Sequence, residues 1–368
     1  MEMKRYLALL LALCLLLCAC GKKDDTSNTE GSSEATQNNA WDNAWDETQS
    51  NNTEETKKKE VLYRHPLTGA ALEQPWSGQI PAVMINNLKA AMPQHGISQA
   101  DIFYEIEVEG DITRNLAVFS DLTKVTTIGP VRSARTAFNS VAVSYDAPLV
   151  HCGGSPGLAL AGRYGASMDT IANWQHIDQG SNGAYFFRDQ VRYQNGYAWE
   201  HTLFTKGELL QQVMEKKGYY TPDEKNYGLQ FAEDVTLSGE QANEVTVKFK
   251  SGKTTTLKYD AATKEYKLFM HGTEHIDGNT GKALTFKNVI AIYTDQKVID
   301  SGGHKVYETI GSGEGYAAIN GQIVPIKWSR EGLRTHYTYT LADGTPLTMD
   351  VGTTYIALVG IKNPISYK

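Results

Sequence analysis

The sequence is short of cysteine, of positive charge and of apolar runs long enough to cross a bilayer. Its 368 residues hold 4 cysteines, and all but Cys152 lie at or before Cys20. If the leading segment is cleaved and Cys20 modified, Cys152 alone remains and no intramolecular disulfide can form. Stability outside a cell must then come from core packing, for which the chain is long enough. Lys and Arg number 35 against 42 Asp and Glu, giving a net charge of −7. With no basic, aromatic-interleaved stripe, this balance speaks against a nucleic-acid partner. The apolar run Tyr6–Leu17, preceded by Lys4 and Arg5, is too short for a membrane span and suits a signal-peptide core.

What is present at that end is a lipobox. "LCAC", Leu17–Cys20, followed by Gly21, sets an aliphatic residue three before a cysteine. Residues 1–19 read as a lipoprotein signal peptide, and Cys20 as the lipidated residue, with diacylglycerol on its thiol and a further acyl chain such as palmitate on its amine. Several chains together give stable anchoring. The partner implied is a membrane, and the location is the outward face of a Gram-positive-type cell. Cys18 departs mildly from the pattern, where alanine or serine is commoner. Residues 20–60 carry almost no aliphatic side chains and cannot offset their ordering entropy, so they read as a tether. Inside it "NAWDNAWDE" repeats Trp41 and Trp45, either a chance duplication or a short docking motif.

The remaining chain divides by pattern. Residues 61–230 alternate strand-like and helix-like pieces, which predicts an α/β (α+β) N-terminal domain with a mixed sheet. Residues 231–368 hold short alternating strands rich in β-branched and aromatic residues, separated by turns such as "KSGK" and "ADG", which predicts an all-β, antiparallel C-terminal domain. In "ADIFYEIEVEGDITRNLAVFS", Gly110-Asp111 suits a two-residue hairpin turn, pairing Glu107 with Arg114 and Glu105 with Leu116. The acids Asp101, Glu105, Glu107 and Glu109 then line a half-solvated row.

The stretch Thr127–Tyr145 contains Arg132 and Arg135 and no carboxylate. Pro130 suits a first helical turn, and apolar residues from Val131 to Tyr145 recur at helical spacing. On that helix Arg132, Arg135 and Asn139 share a face near the amino end, where the dipole disfavours cations unless an anion intervenes. The anion is either a ligand or Glu105 or Glu107. The following strand ends at His151-Cys152-Gly153-Gly154-Ser155, and strand ends in α/β sheets carry ligands. The candidate ligand-binding residues are therefore Arg114, Arg132, Arg135, His151, Gly153, Gly154 and Ser155, with Arg188 and His201 added by polarity. Cys152 reads as a small buried apolar residue. Thr205 and Glu208 predict a capping box. "HGTEH", His271–His275, matches an inverted zincin motif, but the turn signals around Gly272 predict a hairpin tip there. No metal, cofactor or catalytic set is assigned.

These motifs carry a resemblance. "HPLTG", "VMINN", "QADIFYEIEVEGDITR", "GPVRSAR", "HCGGSP" and the C-terminal "VGTTYI" resemble the YerB family of bacterial lipoproteins, built from a DUF3048 domain and a distinct C-terminal part. The likeness spans roughly Leu62 to Leu358 and implies an envelope location without catalytic residues. Asn86 and "EHTLFT" depart from the usual Asp and "HNLYT". A fainter likeness runs to LytR-CpsA-Psr phosphotransferases, through arginines beside strand ends. The expectation is a non-enzymatic, lipid-anchored protein binding a cell-wall precursor or partner carboxylate. The alternatives are a wall phosphotransferase or hydrolase using His151 or a hairpin acid, and a scaffold for envelope proteins.

Overall fold

The computed structural model describes residues 63–154, 173–219, 226–249 and 252–368, all within one compact unit, Lys59–Lys368. The signal peptide, Cys20, Trp41, Trp45 and Ser155 lie outside the described residues. The N-terminal region supplies strands β1 (Ala82–Asn86), β2 (Ile102–Glu107) and β3 (Thr113–Val118), helix α1 (Thr136–Ser144), strands β4 (Leu149–His151) and β5 (His176–Asp178), and helix α2 (Gly207–Lys217). The C-terminal region is built of strands. Those named here are β6 (Glu240–Gln241), β7 (Glu244–Lys248), β8 (Thr254–Asp260), β9 (Glu265–Met270), β10 (Asn288–Thr294), β11 (Gly311–Ile319), β12 (Gln322–Arg330), β13 (Thr338–Leu341), β14 (Thr354–Gly360) and β15 (Ile365–Tyr367).

Strands of both regions meet in one 11-stranded mixed sheet. Its order is β6-β12-β11-β10-β14-β2-β3-β1-β4-β5, with β13 beside β12. The seam is the parallel pair β14 and β2, Thr354 to Leu358 against Ile102 to Ile106. Because β3 runs against both β2 and β1, the strands β10, β14, β2, β1, β4 and β5 all point the same way. Their carboxyl ends, Thr294, Gly360, Glu107, Asn86, His151 and Asp178, therefore share one edge.

Both faces of this sheet are covered. Phe103, Val289, Ala291, Tyr355 and Ala357 share a core with Val245, Val247, Leu257 and Leu268 of the second, antiparallel sheet. Tyr104, Leu116, Ile290, Ile356 and Leu358 share another with Phe138 and Val141 of α1. Two-sided burial is why "YIALV" reads as an unbroken apolar run.

Three expectations are corrected. The hairpin connection has three residues, Glu109–Asp111, and the ladder pairs Glu107 with Thr113, Glu105 with Asn115 and Ile106 with Arg114. This one-residue slip turns Arg114 to the α1 face and parts it from Glu107. The acids Glu105 and Glu107 are fully buried rather than half-solvated, because the C-terminal strands bring Lys253 to Glu105 and Lys305 to Glu107, each at 3.1 Å. Thr205 does not cap α2; its hydroxyl donates to Tyr185 O, and Lys206 holds the N-cap position.

His271 to His275 form the predicted hairpin tip between β9 and the short strand Thr273–Glu274. His275 is buried and its Nε2 donates to Gln94 Oε1 at 2.8 Å. Burial lowers its pKa from 6.5 to about 4, so the folded state resists protonation. That contribution is complete above the unfolded value and is lost as pH falls from 6.5 towards 4. A His275→Gln variant is expected to show a shallower fall of melting temperature across that window; an unchanged slope would refute this role.

Candidate functional site: an arginine-lined loop cluster at the carboxyl edge

The segment expected to open a helix at Pro130 is extended instead. Ile128 pairs with Thr205, Val131 N donates to Leu203 O, Arg132 N to Met84 O, and Ala134 N to Gly153 O. Neighbours on three sides claim its backbone groups, so α1 begins only at Thr136, with Arg135 at the extended N-cap. Arg132 and Arg135 thus do not share a helical face. They are gathered by a loop that crosses the carboxyl edge beside β1 and β4.

Arg114 and Arg135 have an internal counter-ion, and it is neither of the acids expected from sequence. Glu109, from the hairpin turn, accepts Arg114 Nη2 at 2.9 Å, Arg135 Nε at 2.7 Å and Arg135 Nη2. Neither Glu105 nor Glu107 plays this part. Arg114 Nη1 also donates to Ser133 O at 2.7 Å, and Arg135 Nη1 to Ala134 O at 2.7 Å. Burial alone would raise the Glu109 carboxyl, but the Arg135 hydrogen bonds and the charges of both arginines hold it down to about 2. Burial, with repulsion from Arg135, lowers Arg114 to about 9. Both guanidiniums are buried, at 3% and 9% exposure, and brace the loop from within.

Arg132 is different. It is half-buried, and among the described residues its side chain makes no hydrogen bond or ion pair. Its charge acts on Arg114, on the Cys152 thiol, on Arg188 and on His201, which places these groups around it. Arg188 lies with its guanidinium 4.4 Å over the Trp199 ring and its Nη1 2.6 Å from Trp199 O. Burial foremost, and then the charge of Arg132, lowers the pKa of Arg188.

The glycine loop is supported from below. Gly153 has φ of +69°, and its N–H donates to Asp178 Oδ1 at 2.8 Å. His151, also proposed from sequence as a contact, is fully buried. Its Nδ1 meets Gly153 O at 2.8 Å, its Nε2 meets His176 Nδ1 at 3.1 Å, and its ring stacks with Trp174 and His176. Burial lowers its pKa. With both nitrogens engaged, it holds the loop and offers no free base. His201 is also buried, with Nδ1 2.9 Å from Asn86 Nδ2. Cys152 is half-buried rather than buried, and desolvation raises its thiol pKa.

The accessible members of the predicted set are therefore Arg132, Arg188, Gly153 and Gly154, while Arg114, Arg135, His151 and His201 form the frame. Sequence reasoning missed Asp178, Trp174 and His176, which the parallel β4–β5 pairing brings to His151. Glu109 was in view as a member of the acidic strand row, and only the true register places it in the turn and points it at the arginines. Among the described residues no group of three or more His, Cys, Asp or Glu could hold a metal ion, and no helix is long and apolar enough to cross a membrane.

Comparison with known proteins gives this geometry a family. Residues 67–220 match the model described as "Protein of unknown function (DUF3048) N-terminal domain", and residues 245–356 the corresponding C-terminal domain. A Bacillus subtilis (strain 168) protein, "Putative lipoprotein YerB", is 30% identical over 315 residues, covering 84% of this chain and 89% of the relative. The crystal structure of YerB protein from Bacillus subtilis matches at a TM-score of 0.69 and 26% identity, covering 82% of this chain and 99% of that one. With the arginine and glycine segments inside the first match and strands β10 and β14 inside or overlapping the second, the chain belongs to the YerB-like DUF3048 family.

Proposed function

We propose that this is a lipid-anchored cell-envelope protein, without enzymatic activity, that binds an anionic cell-wall precursor or partner carboxylate at the carboxyl edge of its mixed sheet. The lipobox at Leu17–Cys20 and the word "lipoprotein" in the relative's printed name support anchoring through Cys20 on the outward face of the membrane. The observation that carries the binding reading is Arg132. It is a half-buried guanidinium without a carboxylate among the described residues, beside a second guanidinium at Arg188 and the exposed glycines 153 and 154. An anion seated there would accept charge-assisted hydrogen bonds from the guanidiniums and backbone N–H groups. The ligand frame is Glu109 with Arg114 and Arg135, whose buried pairing fixes the loop.

A hydrolase or transferase reading finds less support. His151 has both nitrogens occupied, and Glu105 and Glu107 are buried against lysines. None of them is placed to act on a bound substrate.

The test is calorimetric titration of the full chain in non-ionic detergent with nucleotide-linked and lipid-linked wall precursors. Arg132→Ala is expected to weaken binding by about tenfold or more, since a hydrogen bond to a charged group contributes about 1.5–3 kcal/mol, with the melting temperature unchanged. Arg132→Ala with undiminished affinity would end the proposal.

A further inference from the structure

A cavity opens farther along the same edge, past the carboxyl ends of β10 and β14. It has a volume of about 610 Å³. Its walls come from Gln296 to Val298, from the turn Ile361 to Pro364, from the end of β7 at Lys248, and from Lys305. Positions past parallel strand ends are where open α/β sheets take ligands, and here the C-terminal region supplies the whole lining.

Three features of the lining point to one chemistry. The first is charge: Lys248, Lys297, Lys305 and Lys362 face the cavity with Asp295 as the one lining carboxylate. Lys305 is buried against Glu107 at the floor, while Lys248 and Lys362 are exposed, and neither side chain has a hydrogen bond or ion pair among the described residues. The second is a pair of orphaned amide atoms. Asn363 is only 7% exposed, yet its Nδ2 has no partner, and the buried Oε1 of Gln296 has none either. Both residues line the cavity. The Gln296 amide lies over Gly360, where a Cβ would collide with it. A buried polar atom left unpaired is destabilising, and such atoms call for an explanation. The third is a pair of exposed aliphatic side chains among the lining residues, Val298 at 52% and Ile361 at 62% exposure.

We infer that this cavity binds a phosphate ester of a polyol. The lysines would hold the phosphate, Asn363 Nδ2 would donate to an ester or phosphate oxygen, and Gln296 Oε1 would accept from a polyol hydroxyl. That chemistry has two sources: the glycerol-phosphate headgroup of a membrane lipid, and a soluble polyol phosphate. Val298 and Ile361 at the cavity favour the lipid, whose acyl chains would cover them.

The experiment titrates the full chain in non-ionic detergent with three probes: dihexanoyl phosphatidylglycerol, glycerol 3-phosphate, and dihexanoyl phosphatidylcholine as the zwitterionic control. Binding of the first two and not of the third is expected. Phosphatidylglycerol binding about tenfold tighter than glycerol 3-phosphate, a difference of about 1.4 kcal/mol, identifies the lipid as the source; equal affinity identifies the soluble ester. Lys248→Ser with Lys362→Ser alters only exposed residues and should weaken both ligands about tenfold or more. Asn363→Asp, which keeps the shape and removes the donor, should do the same. Arg132→Ala should leave these affinities unchanged, so this site and the arginine site fail separately. Absence of binding, equal binding of phosphatidylcholine, or affinities untouched by the lysine pair would overturn the inference.

Discussion

Replacing Glu109 by alanine is expected to cost about 3–5 kcal/mol of stability, the range for removing one partner of a buried ion pair. The reason is arithmetic of charge. Among the described residues Glu109 is the carboxylate that pairs with both Arg114 and Arg135, which are 3% and 9% exposed. Without it two buried guanidiniums face each other. The lower end of the range is expected, because the Glu109 side chain keeps 20% of its surface in water. Chemical denaturation reads the change as a lower midpoint at unchanged slope. The variant also predicts a pH signature. The Glu109 pKa is held at about 2 against an ordinary 4.5. Its stabilisation is therefore present above 4.5 and lost as pH falls towards 2, and Glu109→Ala should flatten the acid limb in that interval. Sulfate added to the variant should recover part of the loss by standing in for the missing carboxylate. A cost below about 1 kcal/mol, the level of a surface pair, would show that the arginines do not depend on Glu109.

The second large effect belongs to Glu105 and Lys253. Glu105 is fully buried and accepts from Lys253 at 3.1 Å, Thr113 at 2.6 Å, Thr255 at 2.8 Å, Tyr355 at 2.7 Å and Asn87 at 3.1 Å. Burial pushes its carboxyl up, but the charge of Lys253 and these hydrogen bonds outweigh burial and hold it below the usual range. Lys253→Ala should therefore cost about 3–5 kcal/mol. Lys253→Met combined with Glu105→Gln should recover much of that, since no buried charge is then left alone. The network draws on β2, β8 and β14, so it ties the N-terminal and C-terminal regions together. A single unfolding transition is expected in the parent chain. Two separated transitions, or a Lys253→Ala chain as stable as the parent, would contradict this.

Much of the fold was legible locally. β8, β9 and β10 fall within the stretch whose β-branched and aromatic residues predicted strands, and β4 ends at His151 as expected, because such side chains fit a pleated, packed surface. The hairpin was found but misregistered, since Gly110-Asp111 suits a two-residue turn as well as part of a three-residue one. A difference of one residue is enough to exchange the faces. The helix expected from Pro130 failed for another reason. Val131 to Tyr145 has helical periodicity throughout, but hydrogen bonds to Met84, Gly153 and Leu203 outcompete the helix over its first part. Periodicity reports which residues are buried, and an extended loop between packed layers buries its residues too.

The sequence by itself carried the "LCAC" pattern before Gly21, the scarcity of aliphatic residues up to Glu60, several of the strands, and the presence of arginines with no acid near them in the chain. Tertiary structure decided which charges meet. Glu109 reached Arg135 through the true register, Lys253 and Lys305 reached Glu105 and Glu107 across the assembled sheets, and Gln296 and Asn363 came to line one cavity past the ends of β10 and β14. Chain separation carries no information about these contacts, because hydrogen-bonded sheet pairing sets them, and electrostatics inside a protein depends on distance and burial rather than on order along the chain.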